Sequence, residues 1–299
     1  GPPVSAKNTG SGETWRSRLL ASLRGKGFSD QTSILSPRSA LQPVSAPEKD
    51  APAICAANPE VLAFMKATHA ETNIQPPSGL GLFDAEYDPA AGVLNVSVRC
   101  AFRFIGGDKA DFPAAKDEEL TWTDDAKSKW KDDFTSLVES RWSGQHAFKC
   151  TRSGFEWLAA RVAVDVLETD DDWHFRLDVT KIPSGEKKGS SVSTYKGNRT
   201  KRNSASLDSE DLAKWEKGGS EGQYGAVHEF GHMIGLGDEY PGEHEIHHQA
   251  MVEDALGKTI KKERSDNVMS IANVVERQHY VTFLEALKRV TQMDEWEFL

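Results

Sequence analysis

The stretch AVHEFGHMIGLGDEY (226–240) gathers two histidines, three acids and a tyrosine into fifteen positions. On a helix, the four-residue step from His228 to His232 stacks both imidazoles on one face, close enough to ligate a single metal ion. Glu229 lies about 100° round from His228, so it flanks such an ion rather than binding it. A carboxylate there can take a proton from a water that the metal polarises. Gly235 stands where the helix should stop, because glycine accepts the left-handed conformation that reverses the chain. Three residues on, Asp238 can swing back as a third ligand. The plain alternative is an amphipathic helix with two satisfied histidines. His-Glu-x-x-His alone arises by chance often enough to keep that alternative standing, and the added Gly and Asp weigh against it.

Other groups compete for the third position. Glu239 is adjacent, although its carboxylate more naturally points away. His244, His247 and His248 in GEHEIHH lie within reach of a loop, with exposed polar surface as their plainer role. Glu253 would serve if the third ligand came from a later helix, a scheme that leaves Gly235 unexplained. Tyr240, two residues past Asp238, is the nearest donor for a developing oxyanion; its plainer role is packing before the Pro241 turn. With two neutral imidazoles and one carboxylate, a zinc ion would keep a net charge of about +1, against +2 with three imidazoles. Its water would be less acidified, so reliance on Glu229 and a pH optimum at or above neutral are expected. Val227, Phe230 and Ile234 share the opposite face and should anchor the helix in a core.

The run from His228 to Asp238 resembles the extended zinc signature of the metzincin metallopeptidases. Asp238 stands where most of them carry a third histidine. SDNVMSIAN (265–273) offers Met269 for the methionine turn of that clan, without the tyrosine that usually follows two residues later. The resemblance implies a zinc endopeptidase with His228, His232 and Asp238 as ligands, Glu229 as base and acid, and a protein or peptide substrate. It also implies a twisted mixed sheet with an early packing helix, a zinc-binding helix, a methionine turn and a terminal helix. Similar motifs occur in bacterial toxins and secretion-system effectors, which implies a secretion-system carrier or chaperone as a partner. The competing functions are a hydrolase of a non-protein substrate, a peptidase acting on its own linker, and an adaptor with a structural zinc. Cys55, in APAICAANPE (51–60), resembles the thiol of a latency segment, against an ordinary linker or core cysteine.

These residues need elements to hold them. VSVRCAFRF (96–104) alternates apolar and polar residues and predicts a half-buried strand. Trp122, Ala126, Trp130, Phe134, Leu137 and Val138 recur at helical spacing. Further strands are expected around 145–151, 160–167 and 172–180, the last with His174 on its polar side. A short helix is expected over 58–70, and 183–207 reads as a polar loop containing KGNRTKR. Ser220 and Gln223 match a capping box that starts the metal helix near Glu221, and Asn273 with Glu276 suggests the start of a terminal helix with Tyr280, Phe283, Leu284, Leu287 and Val290 on one face. The order reads as one α+β domain over 53–299 behind a Ser/Pro-rich tail, 1–52. GPP at the start reads as the scar of a removed tag.

Composition sets limits. The 299 residues are 38% hydrophobic and 27% charged, with 13 Phe, 8 Trp and 5 Tyr, enough for a sizeable core. A net charge of −10 argues against a general nucleic-acid binder, and KGNRTKR reads as a solvated loop before it reads as a basic patch. No apolar run approaches the roughly 18–20 residues that span a bilayer. WRSRLLASLRGKG (15–27) lacks the apolar stretch of a secretory signal, so the expectation is a cytosolic protein, export by another route, or a trimmed leader. Cys100 and Cys150 fall in phase with apolar strand faces and read as buried core thiols, with a bridge between them as the alternative.

Overall fold

The computed structural model describes residues 58–195, 203–216, 222–242 and 245–299. Cys55, Ser220, His244 and KGNRTKR, like the 52/53 boundary, lie outside them. The chain folds as α+β around a mixed sheet. Asn58 caps α1 (Pro59–Lys66) by accepting the N–H of Glu60 at 3.0 Å. The helix ends earlier than expected, and His69–Ile74 forms strand β1 instead. Strand β2 (Phe83–Asp88) pairs antiparallel with β1 and with β3 (Val93–Ile105). After α2 (Asp124–Trp142) come β4 (Ala147–Cys150), β5 (Ala159–Glu168) and β6 (Phe175–Thr180). The long β3 lies parallel to β5 on one side, and on the other it is shared by β2 and, further along, a parallel β6.

The polar stretch after 183 is not wholly loop. Ser191–Ser193 is β7 and Ser204–Asp208 is β8, with β8 parallel to β6 and β7 antiparallel at the end of the sheet. Short serine-rich strands hide from a hydrophobic pattern; only Ala205 and Leu207 of β8 turn into the core. A two-strand ribbon, β9 (Lys214–Trp215) and β10 (Gln223–Tyr224), leads into α3 (Gly225–Met233). Gln223 is therefore a strand residue and does not cap the helix as expected. Then come α4 (Gln249–Leu256), a 3₁₀ turn (Arg277–Tyr280), α5 (Val281–Thr291) and β11 (Trp296–Phe298), which pairs with β4. Asn273 starts no helix: its side chain receives the Tyr224 N–H at 3.0 Å and donates to Gly222 O at 2.5 Å. No helix among the described residues is long and apolar enough to cross a membrane.

Alternate residues of β3 (Leu94, Val96, Val98, Cys100) are fully buried, as are Phe175, Leu177 and Val179 of β6. A single covered face explains that period of two. Phe83 meets Phe283 of α5, and Phe102 meets Trp130 and Phe134 of α2, edge to face. Cys100 and Cys150 are buried and free, and β5 stands between their strands, so the bridge is excluded.

His174 corrects an expectation: it is fully buried rather than on a polar face. The Arg99 N–H donates to its Nδ1 at 2.9 Å, so Nε2 carries the proton and donates to Asp84 Oδ1 at 3.0 Å. Asp84 also pairs with Arg99 at 3.1 Å. This latch holds β2 to β3, and β2 begins where Leu82 N–H donates to Met233 O at 2.9 Å, at the end of α3. Burial keeps His174 below the usual histidine range despite Asp84. Burial would raise Asp84, but His174, the Asn73 N–H and Arg99 together lower it. Unfolding on the acid side therefore takes up protons at both groups, and stability falls as pH drops below about 6.5 and again below about 3.8. In urea melts between pH 7 and 5, His174→Asn should show a shallower loss, by up to about one proton's slope; an unchanged slope would assign the proton elsewhere.

Candidate metal centre

Helix α3 is held by its apolar side. Val227, Phe230 and Ile234, with Ala226 and Met233, are fully buried. Trp142 Nε1 of α2 donates to Val227 O at 3.1 Å. Beneath the helix Met269 is also fully buried, and its sulfur lies so near Gly231 that a Cβ there would come within 2.3 Å. The helix stops as expected. Gly235 has φ of +101°, its N–H donates to His232 O at 3.1 Å, and the Leu236 N–H donates to Gly231 O at 3.0 Å. A Cβ at Gly235 would also lie 2.6 Å from Pro76 Cγ, so the turn and its packing both require glycine.

The reversed chain brings Asp238 over the two imidazoles. Its Oδ1 lies 3.1 Å from His228 Nε2 and 3.4 Å from His232 Nε2. His228 Nδ1 donates to Val268 O at 2.8 Å, and His232 Nδ1 donates to Leu236 O at 2.8 Å. Those bonds set the tautomers, so both Nε2 atoms present lone pairs. Asp238 Oδ1 is buried without a well-formed hydrogen bond. Three electron-pair donors within 4.8 Å of one another could hold a metal ion, and imidazole with carboxylate suits a first-row divalent cation. Burial would raise Asp238, yet His228 and His232 hold it far below the usual carboxylate range. Burial would lower His232, yet Asp238 and then Glu229 raise it.

The other candidates separate cleanly. Glu239 points away from the imidazoles and is 1% exposed. Its Oε1 accepts from His248 Nε2 at 2.9 Å, with His279 Nε2 at 3.2 Å, and its Oε2 accepts from Asn267 Nδ2 at 2.9 Å and Gln278 Nε2 at 2.6 Å. Burial would raise its pKa, but His248 and His279 bring it down to about 2. Its own N–H donates to Met269 O at 2.9 Å. His248 is thus fully buried in this knot, where an exposed surface was the plainer expectation. Glu253 is exposed on α4, bonded to Gln249 at 2.8 Å. His247 is exposed and borders the site without joining the ligand cluster.

Two cavities meet at the cluster. One, of about 330 Å³, is lined by His228, Glu229, Gln223, Gly225, Asp211 and Trp215 among others. The other, of about 380 Å³, passes His232 and Asp238 and reaches Ser191, Val192 and Thr194 along β7. Ser190, His228, Glu229 and Tyr240 line both, so Glu229 and Tyr240 stand beside the cluster. Glu229 is buried and Tyr240 half-buried. Sequence reasoning missed Gln223, whose amide donates to Val268 O at 3.0 Å and Ser270 O at 3.1 Å and so steadies the carbonyl that orients His228. It also missed Asp211 and the β7 edge; none of these belongs to a spaced motif.

Compared with known proteins, the chain matches no family model, no curated protein and no solved structure.

A divalent metal titrated calorimetrically should bind one ion per chain. Asp238→Ala should weaken that binding by orders of magnitude; full occupancy in the variant would remove Asp238 from the ligand set. Glu239→Gln places a donor among donors. It should cost about 3 kcal/mol or more in stability and about 10- to 100-fold in metal affinity, and unchanged affinity would show that the knot does not position Asp238.

Proposed function

We propose that the chain is a zinc-dependent endopeptidase. The observation that carries this reading is the convergence of His228, His232 and Asp238 with Glu229 and an end strand of the sheet beside them. A structural zinc usually has four protein ligands, mostly cysteine. The cluster found among the described residues has three donors, no thiol and a cavity on either side. The resemblance of 228–238 to the metzincin signature and the placement of Met269 under Gly231 support the same reading.

Zinc bound there would supply Lewis acidity, polarising a peptide carbonyl and lowering the pKa of a water from 15.7 towards about 7. Glu229 takes the proton of the attacking water and later delivers it to the leaving amine. Tyr240, which lines both cavities, would serve as the donor to the oxyanion. Strand β7 ends the sheet, so its outer edge suits main-chain pairing with an extended peptide, whose side chains would fall towards the two cavities. The Nδ1 bonds of His228 and His232 hold the ring orientations throughout.

The test is digestion of a proteome-derived peptide library, read as new termini by mass spectrometry, with Glu229→Ala as the matched control. Glu229→Ala should abolish cleavage, a loss of at least about 10²- to 10⁴-fold for a general base, while zinc stays bound. Absence of new termini with the wild-type zinc protein, or termini that persist in the control, would overturn the reading.

A further inference from the structure

Asp211 lies outside the motif, on the turn after β8, yet it lines the 330 Å³ cavity that opens beside His228 and Glu229. It is only 4% exposed. Ser190 Oγ donates to its Oδ2 at 2.5 Å, and the Asp208 N–H donates to the same oxygen at 2.7 Å. The carboxyl is therefore fixed by one oxygen. Its Oδ1 accepts from none of the described residues and lies over Gly225, where a Cβ would come within 2.1 Å. Glycine at the first residue of α3 thus leaves room for that oxygen at the cavity wall. Burial, with the charges of Asp208 and Glu229, pushes the carboxyl up to about 7. Lys187 and Arg264 also line the cavity, but both are exposed, Lys187 lying over the Trp215 ring. Water screens charges so placed, and the enclosed carboxyl governs what enters beyond them.

We infer that Asp211 is a specificity-determining residue that selects a lysine or arginine side chain flanking the scissile bond. The inference rests on the endopeptidase reading and deepens it. A peptide lying along β7 with its carbonyl at Glu229 and Tyr240 has this cavity next to the bond. The Trp215 ring offers an apolar wall for the methylenes of a long basic side chain. Its cationic end then reaches the free Oδ1 while Oδ2 keeps its two donors. A buried carboxylate in a cavity wall pairs with a guanidinium or ammonium and leaves an uncharged analogue without charge assistance. Carboxylate-bearing side chains meet Asp211 with like charge.

The test uses matched probes that differ in one group. Peptide hydroxamates bearing arginine or its uncharged isostere citrulline next to the metal-binding group are titrated into the zinc-loaded protein. The same residues are compared at library cleavage sites. Arginine should bind on the order of 10- to 100-fold tighter than citrulline. In Asp211→Asn, where the amide oxygen can keep the bonds from Ser190 and Asp208, that ratio should fall to near one. Equal binding of the two probes by wild-type protein overturns the inference whatever the variant does, and so does a ratio that survives in a folded Asp211→Asn. Probe discrimination without any library cleavage would instead sink the endopeptidase reading and leave the cavity's preference standing. Cleavage that ignores basic residues, with equal probe binding, would do the reverse.

Discussion

A carboxylate buried to 1% exposure keeps its charge only if donors surround it, and Glu239 has them on both oxygens. The four donors come from three places in the chain. His248 precedes α4, Asn267 lies on the loop that carries Met269, and Gln278 and His279 belong to the turn that enters α5. Remove the carboxylate and these segments lose their common partner. The same loop supplies Val268 O to His228 and places Met269 under Gly231. One ion-stabilised knot therefore fixes the floor beneath α3, the orientation of one imidazole and the return path of the chain that delivers Asp238.

The sheet contributes from the opposite side. β7 is an end strand, and Ser190, just before it, borders both cavities. β2 is latched by Asp84 and His174 and abuts the end of α3 through Leu82. A cleft arises because a helix holding electron-pair donors lies beside a strand at one end of the sheet. The charge balance of that cleft favours cations twice over. Asp238 sets a carboxylate oxygen against two imidazole lone pairs, and Asp211 adds a second buried carboxyl, its pKa raised, to the neighbouring cavity. A metal ion held by His228, His232 and Asp238 would answer the first, and a basic side chain would answer the second.

Much of the site was legible because its spacing is local. His228, His232 and Asp238 are linked by one helix and one glycine turn, and a period of 3.6 with a left-handed stop places all three without tertiary knowledge. Strand β3 and helix α2 were legible for the same reason, since strong periodicity survives any packing. Elements with weak apolar content were not: β7, β8 and the β9–β10 ribbon take their form from neighbours already in place. Gln223 and Asn273 show the limit most sharply. Both have the side chains of helix caps, and both instead bond to groups about fifty residues away in sequence. His174 failed for a related reason, since its burial is supported by Asp84 from a strand that the sequence pattern did not reveal.

Adjacent acids illustrate how finely the division of labour is set. Asp238 and Glu239 have nearly the same chemistry, and each would be a metal ligand by composition. Their side chains leave the chain on opposite sides, one towards two lone pairs, the other towards four donors. The length of the turn decides which is which. Gly235 ends the helix, and four residues later the Glu239 N–H meets Met269 O, which sets the side of each side chain. Adding one residue between Gly235 and Asp238 would move Asp238 among the imidazole and amide donors of Glu239 and leave the histidines facing the residue before it. The glycine turn and the buried knot therefore act together. The first sets the register, and the second makes any other register costly.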